Sequence, residues 1–173
     1  MQAQNKLSGI VYKLQRLPSF CHRFLLSQLF GRTIKFAGTA GVQVLALDHQ
    51  HATLRIANRS KVQNHIGGVH AAAMALLGES ASGFLLGMHV PDDRIPLLKT
   101  MTVHYVKRAT GNLTATAKLT EEQIAAIRHH EKGEVTIRVE ILDSLGIAPV
   151  QAEFVWAWIP KARKPVTEIK SGD

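Results

Sequence analysis

The sequence is short of cysteine, of acidic residues and of long apolar runs, and each shortage removes a class of protein. Cys21 is the single cysteine among 173 residues. No intrachain disulfide can form, and no C-x-x-C pair exists to bind zinc. The compartment this predicts is the reducing cytoplasm. Thirteen Asp and Glu stand against 21 Lys and Arg, a formal charge of +8. Such a balance attracts polyanions: nucleic acid, anionic lipid or phosphate-bearing small molecules. The basic residues are scattered, gathering at Lys107–Arg108 and in the tail from Lys161 to Lys164. No helix-turn-helix, zinc-finger or aromatic ribonucleoprotein signature accompanies them, so nucleic acid is not the expected partner. No apolar run approaches the roughly 20 residues that a membrane span requires.

What is present suits one compact domain, with 46% hydrophobic and 20% charged residues, enough to bury a real core. Residues 1–38 are basic and partly apolar. They predict a preface of two short amphipathic helices flanking Pro18, packed on the domain, with contact to a membrane surface as the alternative. Residues 39–162 form the expected main domain, and 163–173 a basic, flexible tail. From Gly41, "GVQVLALDHQHATLRIAN" alternates apolar and polar residues around Asp48-His49-Gln50, which predicts two antiparallel strands and a turn. A helix is predicted from Gly68 to Met88, rich in Ala, Leu and Met. It is apolar nearly all round, so it should be covered on most sides. Strands are predicted in "LLKTMTVHYVKRA", "LTATAKLT", "EVTIRVEIL" and "PVQAEFVWAWI". Between the second and third lies a short helix opening on Thr120, with Gln123 completing a capping box. One apolar helix and one antiparallel sheet bury each other if the sheet curves around the helix, which makes the fold class α+β.

The long helix carries one formal charge, Glu79; the nearest others are Lys61 and Asp92. A buried carboxylate without a partner costs on the order of several kcal/mol. It is kept for a function, or because it faces solvent or meets a cation across an interface. Just before the helix stand Asn64, Gly67–Gly68 and His70, then Ala71, Ala72 and Ala73. The first turn of a helix offers free N–H groups and the positive end of the dipole. Small residues there, Gly68 included, let a substrate carbonyl approach those amides, as in a backbone oxyanion hole. Taken singly, His70 also reads as a helix cap and Asn64 as a turn residue.

Asn64, Gly67, His70 and Glu79 fall at offsets 0, 3, 6 and 15. This spacing resembles the motif of the hotdog-fold acyl-CoA thioesterases of the phenylacetyl-CoA and hydroxybenzoyl-CoA type, or their uncharacterised branch with an N-terminal helical extension. The resemblance covers about Gly41 to Pro160 and implies a long central helix in a curved antiparallel sheet. It also implies hydrolysis of an acyl-CoA to a free acid and coenzyme A, with no metal or organic cofactor. Glu79 would be the nucleophile or the base that activates water. The Ala71 amide would polarise the thioester carbonyl, Asn64 would position the water or carboxylate, and His70 would orient the loop or thioester. Lys107 and Arg108 stand where relatives receive the nucleotide. The paired glycines that follow the family's His are Ala71 and Ala72 here. A non-catalytic acyl-thioester-binding or regulatory protein on the same fold is the alternative. A dehydratase is a weaker one, because it wants its His and acid in another arrangement.

Helix geometry adds a constraint of its own. Eight residues separate Ala71 from Glu79, about 12 Å along an axis rising 1.5 Å per residue. An attacking group must lie about 3–3.5 Å from its carbon. One helix therefore cannot polarise a carbonyl at Ala71 and attack it with its own Glu79. Two antiparallel copies can, which predicts a homodimer or a dimer of dimers. Ala71, Ala75, Gly78 and Ser82 form a small-residue stripe that suits either the second helix or the sheet.

Overall fold

The computed structural model describes residues 5–162; the tail expected over 163–173 lies outside the described residues. The chain runs through α1 (Lys6–Leu14), α2 (Ser19–Thr33), α3 (Lys35–Ala40), β1 (Gln43–Leu47), β2 (His51–Ile56) and a 3-10 turn (Ser60–Val62). It continues through α4 (Ala71–Gly87), β3 (Arg94–Tyr105), β4 (Leu113–Lys118), α5 (Glu121–His129), β5 (Gly133–Leu142) and β6 (Val150–Pro160). The six strands form one antiparallel sheet in the order β1-β2-β4-β5-β6-β3, with α4 lying against it.

The N-terminal segment holds three helices, not the two expected around Pro18. Pro18 does open α2, but the chain bends at Ile34 and makes a further short helix closed by Gly41 at φ 74°. A Cβ on Gly38 would lie 2.3 Å from the Gly31 carbonyl oxygen. The two glycines let the α2 and α3 backbones touch, which no helical periodicity announces. The strand expected from Leu97 begins at Arg94 and so includes Pro96. Proline is tolerated there because β3 is an edge strand, paired with β6 on one side only.

The core follows from alternation. Ala52, Leu54 and Ile56 of β2 point inward with Leu113, Ala115 and Ala117 of β4 and Val139 and Ile141 of β5, all buried, as the two-residue strand period requires. Against them α4 presents Leu77, Ala81 and Leu85, each fully buried. A Cβ on Gly78 would sit 2.7 Å from the Phe154 ring, and one on Gly83 would sit 2.7 Å from the Trp156 ring. The Trp156 indole N–H donates to Ser82 Oγ at 3.0 Å. Gly78 and Ser82 are therefore small to admit the aromatics of β6, so at these two positions the stripe serves the sheet.

Candidate active site

The helix start is built by its loop. Asn64 Oδ1 accepts from the Ile66 and Gly68 amides, both at 3.1 Å. The Asn64 amide donates to the Gly68 carbonyl at 2.8 Å, and Gly67 turns the loop at φ 77°. The side-chain Nδ2 of Asn64 meets no acceptor among the described residues. Helix α4 starts at Ala71, three residues later than Gly68, because His70 is its cap: the Ala72 N–H donates to His70 Nδ1 at 3.1 Å. With Nδ1 as the acceptor, the ring N–H is on Nε2. The Ala71 N–H, at the first helical position, has no acceptor among the described residues, and Ala71 is exposed. Tyr105, at the end of β3, donates its hydroxyl to the Ala71 carbonyl at 2.8 Å and so holds this first turn. Arg108 Nη2 reaches the Ile66 carbonyl at 3.4 Å. Lys107 stands beside it, both side chains exposed.

Two turns along, Glu79 is half-buried and has no ion-pair partner among the described residues. It meets no cation and lines an apolar cavity of about 490 Å³. Leu7 and Ile10 of α1, Leu29 of α2 and Ile34 wall this cavity together with Pro96 and Trp156. Burial raises the Glu79 carboxyl above its ordinary value of 4.5, and the neighbouring Ser80 hydroxyl offsets part of that rise. Ser80 Oγ is itself buried without a hydrogen bond of regular geometry.

The structure thus brings Asn64, Gly68, His70, Ala71 and Arg108 together, with Lys107 alongside, and places Glu79 elsewhere. His70 and Ala72 line a second, smaller cavity of about 260 Å³; Glu79 lines the larger one. Sequence reasoning misses Ser80, Tyr105 and the whole N-terminal wall. Ser80 had a local sign, a hydroxyl next to the lone acid of an apolar helix. Tyr105 had none, since its partner is 34 residues away. Among the described residues no group of three or more His, Cys, Asp or Glu is placed to hold a metal ion, and no helix is long and apolar enough to cross a membrane.

No curated protein matches the sequence. Solved structures do resemble the fold. PA5026 of Pseudomonas aeruginosa, a protein of unknown function named "Probable Thioesterase", superposes with a TM-score of 0.71 at 23% identity, over 84% of this chain and 97% of its own. Thioesterase HI1161 of Haemophilus influenzae gives 0.66 at 10% identity, over 87% and 96%. A mutant of thioesterase enzyme SAV0944 of Staphylococcus aureus gives 0.63 at 20% identity, over 73% and 99%. At such identities the likeness speaks for the fold, and the curved six-stranded sheet around α4 is the hotdog fold. A family model, Domain of unknown function (DUF4442), matches residues 22–159. The chain is a hotdog-fold member of the DUF4442 family.

Proposed function

We propose that the chain is an acyl-CoA thioesterase whose site forms between two subunits. The observation that carries this reading is the position of β3, which links the two half-sites. Tyr105 at its end holds Ala71, and Pro96 near its start walls the Glu79 cavity. The strand is an edge with Leu97, Met101 and Tyr105 each close to half exposed, and a long apolar edge is a template for pairing. Antiparallel pairing of two β3 strands about their middle lays Tyr105 of one beside Pro96 of the other. Ala71 then faces Glu79 of the partner subunit, and the 12 Å gap within one helix ceases to matter. The names of the structural neighbours support the same chemistry.

In this site the thioester carbonyl oxygen sits at the Ala71 N–H, at the positive end of α4. Glu79 takes a proton from a water as the water oxygen bonds to the carbonyl carbon. Collapse of the oxyanion breaks the C–S bond, and the departing thiolate takes the proton from Glu79. The raised basicity of a half-buried carboxylate suits this role. Used as a nucleophile, Glu79 would instead form an anhydride, and a single turnover in heavy-oxygen water would leave the label in the protein. Asn64 Nδ2 is free to hold the water, and His70 keeps the helix start in place. Lys107 and Arg108 provide cations for the phosphates of coenzyme A, and the free Cys21 suits the cytoplasm.

Glu79→Gln tests the reading. Hydrolysis of acyl-CoA, followed by thiol release, should fall at least about a hundredfold with the fold retained. Turnover near the wild-type rate would remove Glu79 from the chemistry. Binding of acyl-CoA by the wild type with no hydrolysis of any chain length would favour the non-catalytic, acyl-thioester-binding reading.

A further inference from the structure

Resting on the thioesterase reading, we propose that the cavity between the N-terminal helices and α4 takes a linear aliphatic acyl chain of about ten carbons. The lining sorts by chemistry along its length. Glu79 and Ser80 stand at one end, and apart from Thr33 and the Trp156 indole, whose N–H is taken up by Ser82, the rest of the wall is hydrocarbon or glycine backbone. No Lys or Arg lines it, so a nucleotide phosphate finds no counter-charge there. A hydrocarbon chain does fit, with its polar head beside the carboxylate.

The length follows from the helix. Glu79, Gly83 and Gly87 all line the cavity and lie four residues apart, on one face of α4. Eight residues span about 12 Å. An extended chain advances about 3.6 Å for the three backbone bonds of a residue, or about 1.2 Å per bond, so ten bonds cover that span. The glycines let the walls close on the helix: a Cβ on Gly83 would lie 2.7 Å from the Trp156 ring and one on Gly87 3.2 Å from Leu7. A single aromatic ring would occupy only the Glu79 end of a 490 Å³ cavity.

The wall is anchored. Asn5, the cap of α1, donates through Nδ2 to the Gly87 carbonyl at 2.7 Å and to the Val90 carbonyl at 2.6 Å. The rings of Phe30 in α2 and Phe84 in α4 lie 4.2 Å apart. The apolar faces turned to the cavity are nevertheless uncovered, with Ile10 43% and Ile34 41% exposed. At the head of the channel Ser80, only 2% exposed, sets its hydroxyl beside the Glu79 carboxyl and offsets part of its rise.

The test is calorimetric titration of the full chain with S-alkyl-coenzyme A thioethers of two to sixteen carbons, which cannot be hydrolysed. Steady-state hydrolysis of the matching acyl-CoAs runs beside it. Affinity should rise about threefold per methylene, as expected for partial burial of each one, and level off near ten carbons. Leu29→Trp and Ile10→Trp put a ring into the channel. Each should lower the ratio of ten-carbon to four-carbon affinity by at least about tenfold, since several methylenes lose their seat. A flat wild-type profile below ten carbons, or tighter binding of a benzyl than of a decyl thioether, overturns the proposal. So does an unchanged ratio in both variants when thermal melting shows them folded. The thioether arm is independent of turnover. A protein that hydrolyses all lengths alike refutes the channel and keeps the thioesterase, whereas the expected profile without hydrolysis does the reverse.

Discussion

The separation of Ala71 from Glu79 can be tested by combining two dead proteins. Ala71 is the first residue of α4, the position where proline is best tolerated because its missing N–H has no intrahelical acceptor. His70 already lies at φ −63° and ψ 143°, the extended conformation that a residue before proline prefers. Ala71→Pro therefore removes one hydrogen-bond donor and little else. Loss of one oxyanion donor costs about a hundredfold to a thousandfold in rate. Glu79→Gln is inactive by loss of the base. In a hybrid dimer of the two variants, one site collects both lesions and the other pairs a normal Ala71 with a normal Glu79. At equal mixing about half of the dimers are hybrids, each with one intact site of two, so activity should return to about a quarter of the wild-type rate. Thiol release measures the recovery, and native mass spectrometry of differently tagged chains proves the exchange. No recovery despite proven exchange refutes the shared site, because both groups would then serve one site from one chain. An Ala71→Pro protein as active as the wild type refutes the oxyanion role.

Burial holds the Glu79 carboxyl above 4.5, so the acid limb of the kcat profile should lie above the ordinary carboxylate range, with activity rising as pH increases through the raised value. A limb at or below 4.5 removes Glu79 as the titrating base. His89 is buried and pushed down from 6.5 to about 4, first by desolvation and then, among smaller influences, by the nearby Arg128 cation. Its neutral ring accepts from Arg128 at 3.0 Å through Nδ1 and donates to the His49 carbonyl at 2.7 Å. The unfolded chain takes up this proton below 6.5 and the folded one does not until about 4. Stability is thus full above 6.5 and lost as pH falls, by about 2 kcal/mol between pH 7.5 and pH 5. Urea unfolding of wild type and His89→Gln should show that component only in the wild type. Gly78→Val drives two methyls into the Phe154 ring and should destabilise by about 3 kcal/mol, lowering Tm by about 8 °C; an unchanged Tm would mean that β6 can retreat from α4.

The parts of the molecule legible in the sequence are those whose cause is local. The Asp48 turn is one: Asp48 Oδ1 accepts from the Gln50 and His51 amides, both at 2.8 Å. The Thr120–Gln123 capping box is another, and so is the free amide at the start of α4. The cavity has no local cause. Leu7, Ile10, Leu29 and Ile34 have the spacing of ordinary core residues, and only the tertiary contact of Asn5 with Gly87 and Val90 turns them into a wall beside Glu79. The bend between α2 and α3 was hidden for a similar reason. Gly31 and Gly38 each look like helix weakeners, and their joint purpose shows only when two backbones touch.

Ala71 and Ala72 stand where the resemblance expects glycines, and the structure decides what that departure means. Glycine is required where φ is positive or where a backbone must come close. In this loop the positive φ belongs to Gly67, at 77°, and no non-glycine residue among those described has one. Ala71 is already helical, with its N–H free and its side chain exposed. A methyl there changes neither the direction of the amide nor its lack of an intrahelical acceptor. Ala72 differs, because its amide is bound to His70 Nδ1 and is no longer free for a substrate. The free amide at this helix start is therefore that of Ala71, and alanine keeps it.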